Sequence, residues 1–248
     1  MQGRKILLSN QNKTNKTDFK APINTKGNKL NILMLGYDHY NYVINGHSNT
    51  GTLNDGTTIS TFTLTQGNYS ISDFVSHFNT VVNTLGHGLT YTLSYSTTTG
   101  KLTISSTANF TLSFGNSEYL GKLMGFYKNN MGFDINNTGS TSCIAPYIAN
   151  LNYLNRMNYI EVDDMVFDNY IKPVNINNSN NNILCSINMS NYSFGEYVDF
   201  NMNNNYNIQY INEENRHDIN SVNIRLLDAE MNIINDNGQN ITLMLEIK

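Results

Sequence analysis

Seven apolar residues between Ile71 and Leu85 recur with the period of a single helical face: Ile71, Phe74, Val75, Phe78, Val81, Val82 and Leu85. Their offsets from Ile71 are 3, 4, 7, 10, 11 and 14, which predicts a helix. Ser70 can cap it, and Asp73 completes a capping-box-like pair. Burying each of those side chains is worth roughly 1.5–3 kcal/mol before entropy. The helix must therefore pack on something, and the flanking sequence supplies strands.

Residues 60–64 alternate, and Gly67-Asn68 turns the chain towards the helix. Beyond the helix, Leu89, Tyr91, Leu93 and Tyr95 alternate with Thr and Ser. Thr98-Thr99-Gly100-Lys101 reads as a hairpin turn, with Gly100 suited to positive φ. Leu102 and Ile104 form the return strand, and Phe110, Leu112 and Phe114 a third. Ser117 opens a short helix carrying Tyr119, Leu120, Leu123 and Met124, which Gly125 stops. Residues 60–126 thus predict strand, helix, three strands, helix. This is an α+β subdomain whose helix covers one side of a small sheet.

The rest of the chain reads as β. Asparagine fills 45 of the 248 positions, alanine five and proline three. Scarce Ala, Glu and Lys disfavour a mostly helical protein, and 23 Thr with 16 Tyr favour strands. Dense Asn predicts turns and loops, because its side chain bonds nearby backbone and tolerates the left-handed region. Apolar or aromatic runs at residues 19–23, 30–35 (continued with aromatics through 37–44), 159–162, 183–189, 206–211, 221–227 and 241–247 predict strands. Residues 45–58 read as a loop or hairpin connection, and 127–150, 175–182 and 201–207 as loops. Residues 1–18 are polar after Ile6, Leu7 and Leu8, an arm that orders only where it docks. The expected fold is mainly β: a β sandwich at 19–59 and 127–248, with 60–126 inserted.

Chemistry is sparse. Charged residues are 14% of the chain and the net charge is −4, which argues against nucleic acid as a partner. Arg4, Lys5, Lys13, Lys16 and Lys20 face one acid, Asp18, in the first twenty residues, a weak basic signal. No apolar run approaches a membrane span, and the first 30 residues lack the core of a signal peptide. Cys143 and Cys185 are therefore expected as free thiols. His39, His47, His77, His87 and His217 are scattered without metal-ligand spacing. Glu161, Asp163 and Asp164 read as a solvated acidic face. Asp134 to Asn137 lacks the glycine and terminal glutamate of a calcium loop. Tyr37, Tyr40 and Tyr42 could stack on a sugar, although core filling is the simpler role. No phosphate loop or nucleophile elbow occurs. The expectation is no catalytic residue, no cofactor and no metal.

The order of motifs resembles the single jelly-roll capsid proteins of eukaryotic double-stranded DNA viruses. These include penton proteins of virophages and Polinton-like viruses and minor capsid proteins of giant viruses. The resemblance opens with "GRKILLSN", "TDFKAPI" and "NILMLGYDHYNYVING". It is densest in "TLTQGNYSISDFVSHFNTVVNTL", "LTYTLSYSTTTGKLTIS", "NFTLSFG" and "YLGKLMGF", and closes with "NSVNIRLLDAEMNIIND" and "ITLMLEIK". Met124 before Gly125-Phe126 departs from the family's Leu-Gly-Phe-like closing helix. The resemblance implies a single jelly-roll sandwich with an inserted α+β subdomain. It implies a non-enzymatic structural protein of the virion, a capsid penton or minor capsid protein assembled in the host cytoplasm. Its partners would be itself, as a homopentamer, the major capsid protein, and other minor capsid or spike proteins. A carbohydrate-binding or host-attachment module on a β sandwich is the alternative.

Overall fold

A computed structural model describes residues 4–9, 18–39, 41–86, 88–114, 118–126, 134–137, 141–152, 155–167, 170–172, 183–201, 211–234 and 241–247. The elements in chain order are β1 (Arg4–Ser9), β2 (Asp18–Asp38), β3 (Thr50–Asn54), β4 (Ile59–Thr63), α1 (Ile71–Asn83), β5 (Tyr91–Ser96), β6 (Lys101–Ser106), β7 (Phe110–Ser113) and α2 (Glu118–Met124). They continue with β8 (Asp134–Asn137), β9 (Ser142–Ile144), β10 (Met157–Phe167), β11 (Tyr170–Lys172), β12 (Ile183–Asn188), β13 (Tyr197–Asn201), β14 (Ile211–Leu227) and β15 (Ile241–Ile247). The protein is mainly β, with antiparallel pairing throughout these strands. Two compact units emerge: Met1–Asn41 with Leu154–Lys248, and Tyr42–Tyr153.

The first unit is built on one long strand. Residues 30–37 of β2 pair with β15 on one side, and residues 34–38 pair with β13 on the other. β1 extends the far side of β15. Residues 18–30 of β2 pair with β14, which pairs with β10, whose other edge carries β11 and β12. Two arrays result, β1–β15–β2–β13 and β2–β14–β10 with β11 and β12. With β2 counted once in each, this is jelly-roll connectivity. The chain between β2 and β10 is the second unit.

Alternation explains the core. Ile241, Leu243, Leu245 and Ile247 of β15 are buried, and Thr242, Met244 and Glu246 between them are half-buried. Leu35, Val198 and Phe200 join them from the first array, and Ile160, Ile187, Ile224 and Leu226 from the second, in one cluster. Residues from both arrays in one cluster make this a sandwich core. Where the chain leaves and re-enters this unit, the Asn41 side chain donates to Asn155 Oδ1 at 2.6 Å. Asn155 Nδ2 donates back to the Asn41 carbonyl at 3.0 Å.

In the second unit α1 has the expected cap. Ser70 Oγ accepts from the Asp73 N–H at 3.2 Å and donates to the Asp73 carboxylate at 2.7 Å. Phe74, Phe78 and Val82 form its buried stripe. Phe78 meets Phe62 of β4 edge-on, with ring centroids 5.3 Å apart.

Polar residues on α1 hold the adjacent strand. Asn79 accepts from the Leu93 N–H at 2.6 Å and donates to the Leu93 carbonyl at 3.0 Å. Asn83 does the same for Tyr91, at 2.9 and 2.8 Å. Two residues along a strand advance about 6.8 Å, and four along a helix about 6 Å. The asparagines therefore match alternate residues of β5 and occupy its edge as a neighbouring strand would.

α2 ends as the sequence predicts, and the geometry is a Schellman motif. The Gly125 N–H donates to the Lys122 carbonyl at 3.1 Å, and the Phe126 N–H to the Gly121 carbonyl at 2.8 Å. Gly125 has φ +79°, and a Cβ there would collide with the backbone carbonyl of Tyr147. Gly125→Ala is expected to lower stability by about 2 kcal/mol or more, from the left-handed conformation and the collision together. A urea titration of the purified protein measures this, and an unchanged midpoint would refute the cap.

Several expectations need correction. The start of the N-terminal arm needs none: it docks as strand β1, in six-residue register with β15, where the resemblance places an opening strand; residues 10–17 lie outside the described residues. The run at 19–23 is not separate from the run at 30–35 and its continuation, because β2 is continuous from Asp18, and the strand ends at Asp38 rather than at residue 44. The inserted unit is Tyr42–Tyr153 rather than 60–126. Its extra reach comes from β3, which pairs with β4 and β7, and β9, which pairs with β6. β9 lay in a segment read as loop, and β3 in one read as a loop or hairpin connection. β3 escaped notice because Leu53 is its only large apolar residue; Gly51 leaves space that the Phe62 ring fills, 2.5 Å from where a Cβ would stand. The unit also holds two sheets, β4–β3–β7–β8 and β5–β6–β9, not one. The expected cap Ser117 and the loops at 175–182 and 202–207 lie outside the described residues, as does most of the strand expected at 206–211.

Candidate functional site

The residues nominated from sequence do not converge. Tyr37 is buried in the sandwich core, where its hydroxyl accepts from Asn158 Nδ2 at 2.5 Å and donates to Met189 Sδ at 3.3 Å. Burial pushes its hydroxyl pKa up. Tyr42 is half-buried and belongs to the other unit, and Tyr40 lies outside the described residues. The three tyrosines therefore make no shared platform.

Glu161 is not part of a solvated face. Its carboxylate lies 3.6 Å from the Arg225 guanidinium, and its side chain is only 12% exposed. The β10–β14 register places the two directly opposite. The side chains of Asp163 and Asp164 lie outside the described residues. Asp134–Asn137 is strand β8, paired with β7, rather than a loop.

The histidines remain apart. His39 is buried beside the turn at residues 192–196, and burial holds its imidazole below the ordinary pKa against the pull of the Ser193 backbone and Glu196. His77 Nε2 accepts from the Thr65 N–H at 3.0 Å, and its ring stacks on Tyr69. His47 sits in an exposed turn. His87 and the His217 side chain lie outside the described residues. Among the described residues, no group of three or more His, Cys, Asp or Glu could hold a metal. Cys143 and Cys185 are free; burial raises both thiol pKa values, that of Cys185 to about 12. Arg4 and Lys5 stand on β1 and Lys20 on β2, while Lys13 and Lys16 lie outside the described residues. No described helix is long and apolar enough to cross a membrane.

The feature that sequence reading missed is a groove in the second unit. It is lined by Tyr69, Ser70, Ile71, Tyr95 and residues 149–152, and is an open depression of about 290 Å³. Tyr69 is held on three sides. Its hydroxyl donates to the Thr65 carbonyl at 2.8 Å, its ring stacks on His77 at 5.2 Å, and it meets Phe74 edge-on at 6.5 Å. The opposite wall is pinned through backbone: Ala149 N–H donates to the Gly100 carbonyl at 2.9 Å, and Asn150 N–H to the Leu123 carbonyl at 2.8 Å. The Tyr95 hydroxyl and the Asn150 and Asn152 amides have no hydrogen-bond partner among the described residues. The groove gathers residues 69–71, 95 and 149–152, a separation no local pattern signals.

Exposed apolar side chains form the other surface feature. Ile59, Ile144 and Ile148 are more than 60% exposed in the second unit, and Leu7 and Tyr197 are exposed in the first. Tyr197 also lies across Gly36 of β2, where it occupies the space of a missing Cβ.

No family model matches the chain, and no curated protein does. Among solved structures, the penton protein of mavirus aligns over 99% of both chains with a TM-score of 0.42 and 12% sequence identity.

Proposed function

We propose that this protein is a structural component of a virion capsid, a penton or minor capsid protein. The observation that carries the reading is the connectivity of the first unit. A single jelly roll is interrupted between β2 and β10 by an α+β unit, in a chain whose motif order resembles capsid proteins of that design. Fold alone does not fix function. The motif order supplies the second, independent support.

Assembly is the mechanism this reading requires. A head-to-tail interface repeated by rotation closes into a ring, with five copies for a vertex. β1 and β13 end the first array, so their outer edges carry backbone groups able to pair across such an interface. Exposed Leu7 and Tyr197 stand on those two strands. A chain rich in Asn and Tyr and poor in charge suits wet, hydrogen-bonded contacts. The partners would be copies of this chain and a major capsid protein, with other minor capsid or spike proteins beyond them, and the protein would reside in virions assembled in the host cytoplasm. No catalytic role is proposed.

Light scattering across a concentration series tests this. The expected result is a closed ring of five, or a monomer that co-sediments with major capsid protein. A monomer that fails to co-sediment would overturn the reading in favour of the attachment module.

A further inference from the structure

We propose that the groove of Tyr69, Tyr95, Asn150 and Asn152 binds a neutral saccharide. Three observations carry this. The first is chemistry: two tyrosine side chains line the groove beside two carboxamides. Sugars present C–H faces that pack on aromatic rings, and hydroxyls that match an amide's paired donor and acceptor.

The second is unspent hydrogen-bonding capacity. The Tyr95 hydroxyl and both amides have no partner among the described residues. The helix terminus supplies little here, because the Ser70 hydroxyl is already engaged by Asp73 and Ser72. Tyr69 and the 149–150 backbone are fixed by the contacts given above, which leaves the Tyr95, Asn150 and Asn152 side chains to be ordered on binding.

The third is charge. No Lys, Arg, Asp, Glu or His lines the groove. The Asp73 carboxylate, held 2.7 Å from the Ser70 hydroxyl, disfavours an anion, whereas an uncharged polyol needs no counter-charge. The volume of about 290 Å³ lies at the lower end for small-ligand sites and suits one or two sugar rings.

The inference does not depend on ring formation. Binding is read on the whole chain whatever its oligomeric state, so failure of the capsid reading leaves it intact. The probes are cellobiose, lactose and N,N′-diacetylchitobiose, with sialyllactose as the charged comparison. Saturation-transfer difference NMR on the full protein is the readout. Transfer to at least one neutral sugar is expected. Tyr95→Ala and Asn150→Asp should each weaken it about tenfold, equivalent to about 1.4 kcal/mol, with thermal melting unchanged. Asn150→Asp is isosteric and serves should Tyr95→Ala fail to fold. Transfer to none of the neutral sugars, or to sialyllactose alone, would overturn the proposal. So would equal transfer in wild type and Asn150→Asp.

Discussion

Phe78→Asp is expected to unfold the Tyr42–Tyr153 unit. Phe78 is fully buried, edge-on to Phe62 at 5.3 Å and tilted against Phe74 at 6.2 Å. Truncating a buried Phe costs about 3–5 kcal/mol. An unpaired carboxyl in the same place adds its own desolvation penalty. The sum rivals the total stability of an ordinary domain, roughly 5–15 kcal/mol. Circular dichroism melting and limited proteolysis are the measurements. Rapid cleavage within residues 42–153 is expected, with Phe78→Leu as the control that keeps the site apolar and stays folded. Wild-type melting of the Asp variant would refute the packing of α1.

The second large effect comes from polar residues. Asn79→Leu with Asn83→Leu removes all four hydrogen bonds from α1 to the backbone of β5. Leucine is a strong helix former, so α1 itself is retained. The loss therefore falls on the strand. Each backbone group left unpaired costs about 1–3 kcal/mol when buried. These sites are only partly buried, so the lower end applies and the pair should cost about 4 kcal/mol. Hydrogen exchange localises the effect: the Tyr91 and Leu93 amides should exchange much faster, while β6 amides paired to β9 change less. Unchanged exchange at both amides would refute the strand-mimic role.

This pair shows what local pattern conceals. Asparagine at such density reads as turn chemistry, and at Asn45 that is what it does: its side chain accepts from the His47 N–H at 2.9 Å. On α1 the same residue type closes a sheet edge. The difference lies in which strand stands opposite, and nothing within ten residues of Asn79 states that. The groove was hidden for the same reason. Tyr69 precedes a helix, Tyr95 ends a strand and residues 149–152 follow β9 in a segment read as loop. Tyr37, by contrast, was legible as core, because it follows the apolar run Ile32–Leu35 at the end of a strand.

The sequence by itself determined the pieces whose cause is local. Helical period placed the face of α1, Ser70 and Asp73 its start, and Gly125 the end of α2. Period two placed β5, and Gly100, at φ +68°, placed the hairpin between β5 and β6. Tertiary structure alone decided which pieces are neighbours. It sends β7 to β3 and β8 instead of leaving it beside β6, runs β2 through both arrays of the sandwich, and recruits β3 and β9 into the inserted unit. Periodicity reports which side of a segment turns from water. Pairing is set by partners distant in sequence, through hydrogen bonds and packing that no single segment encodes.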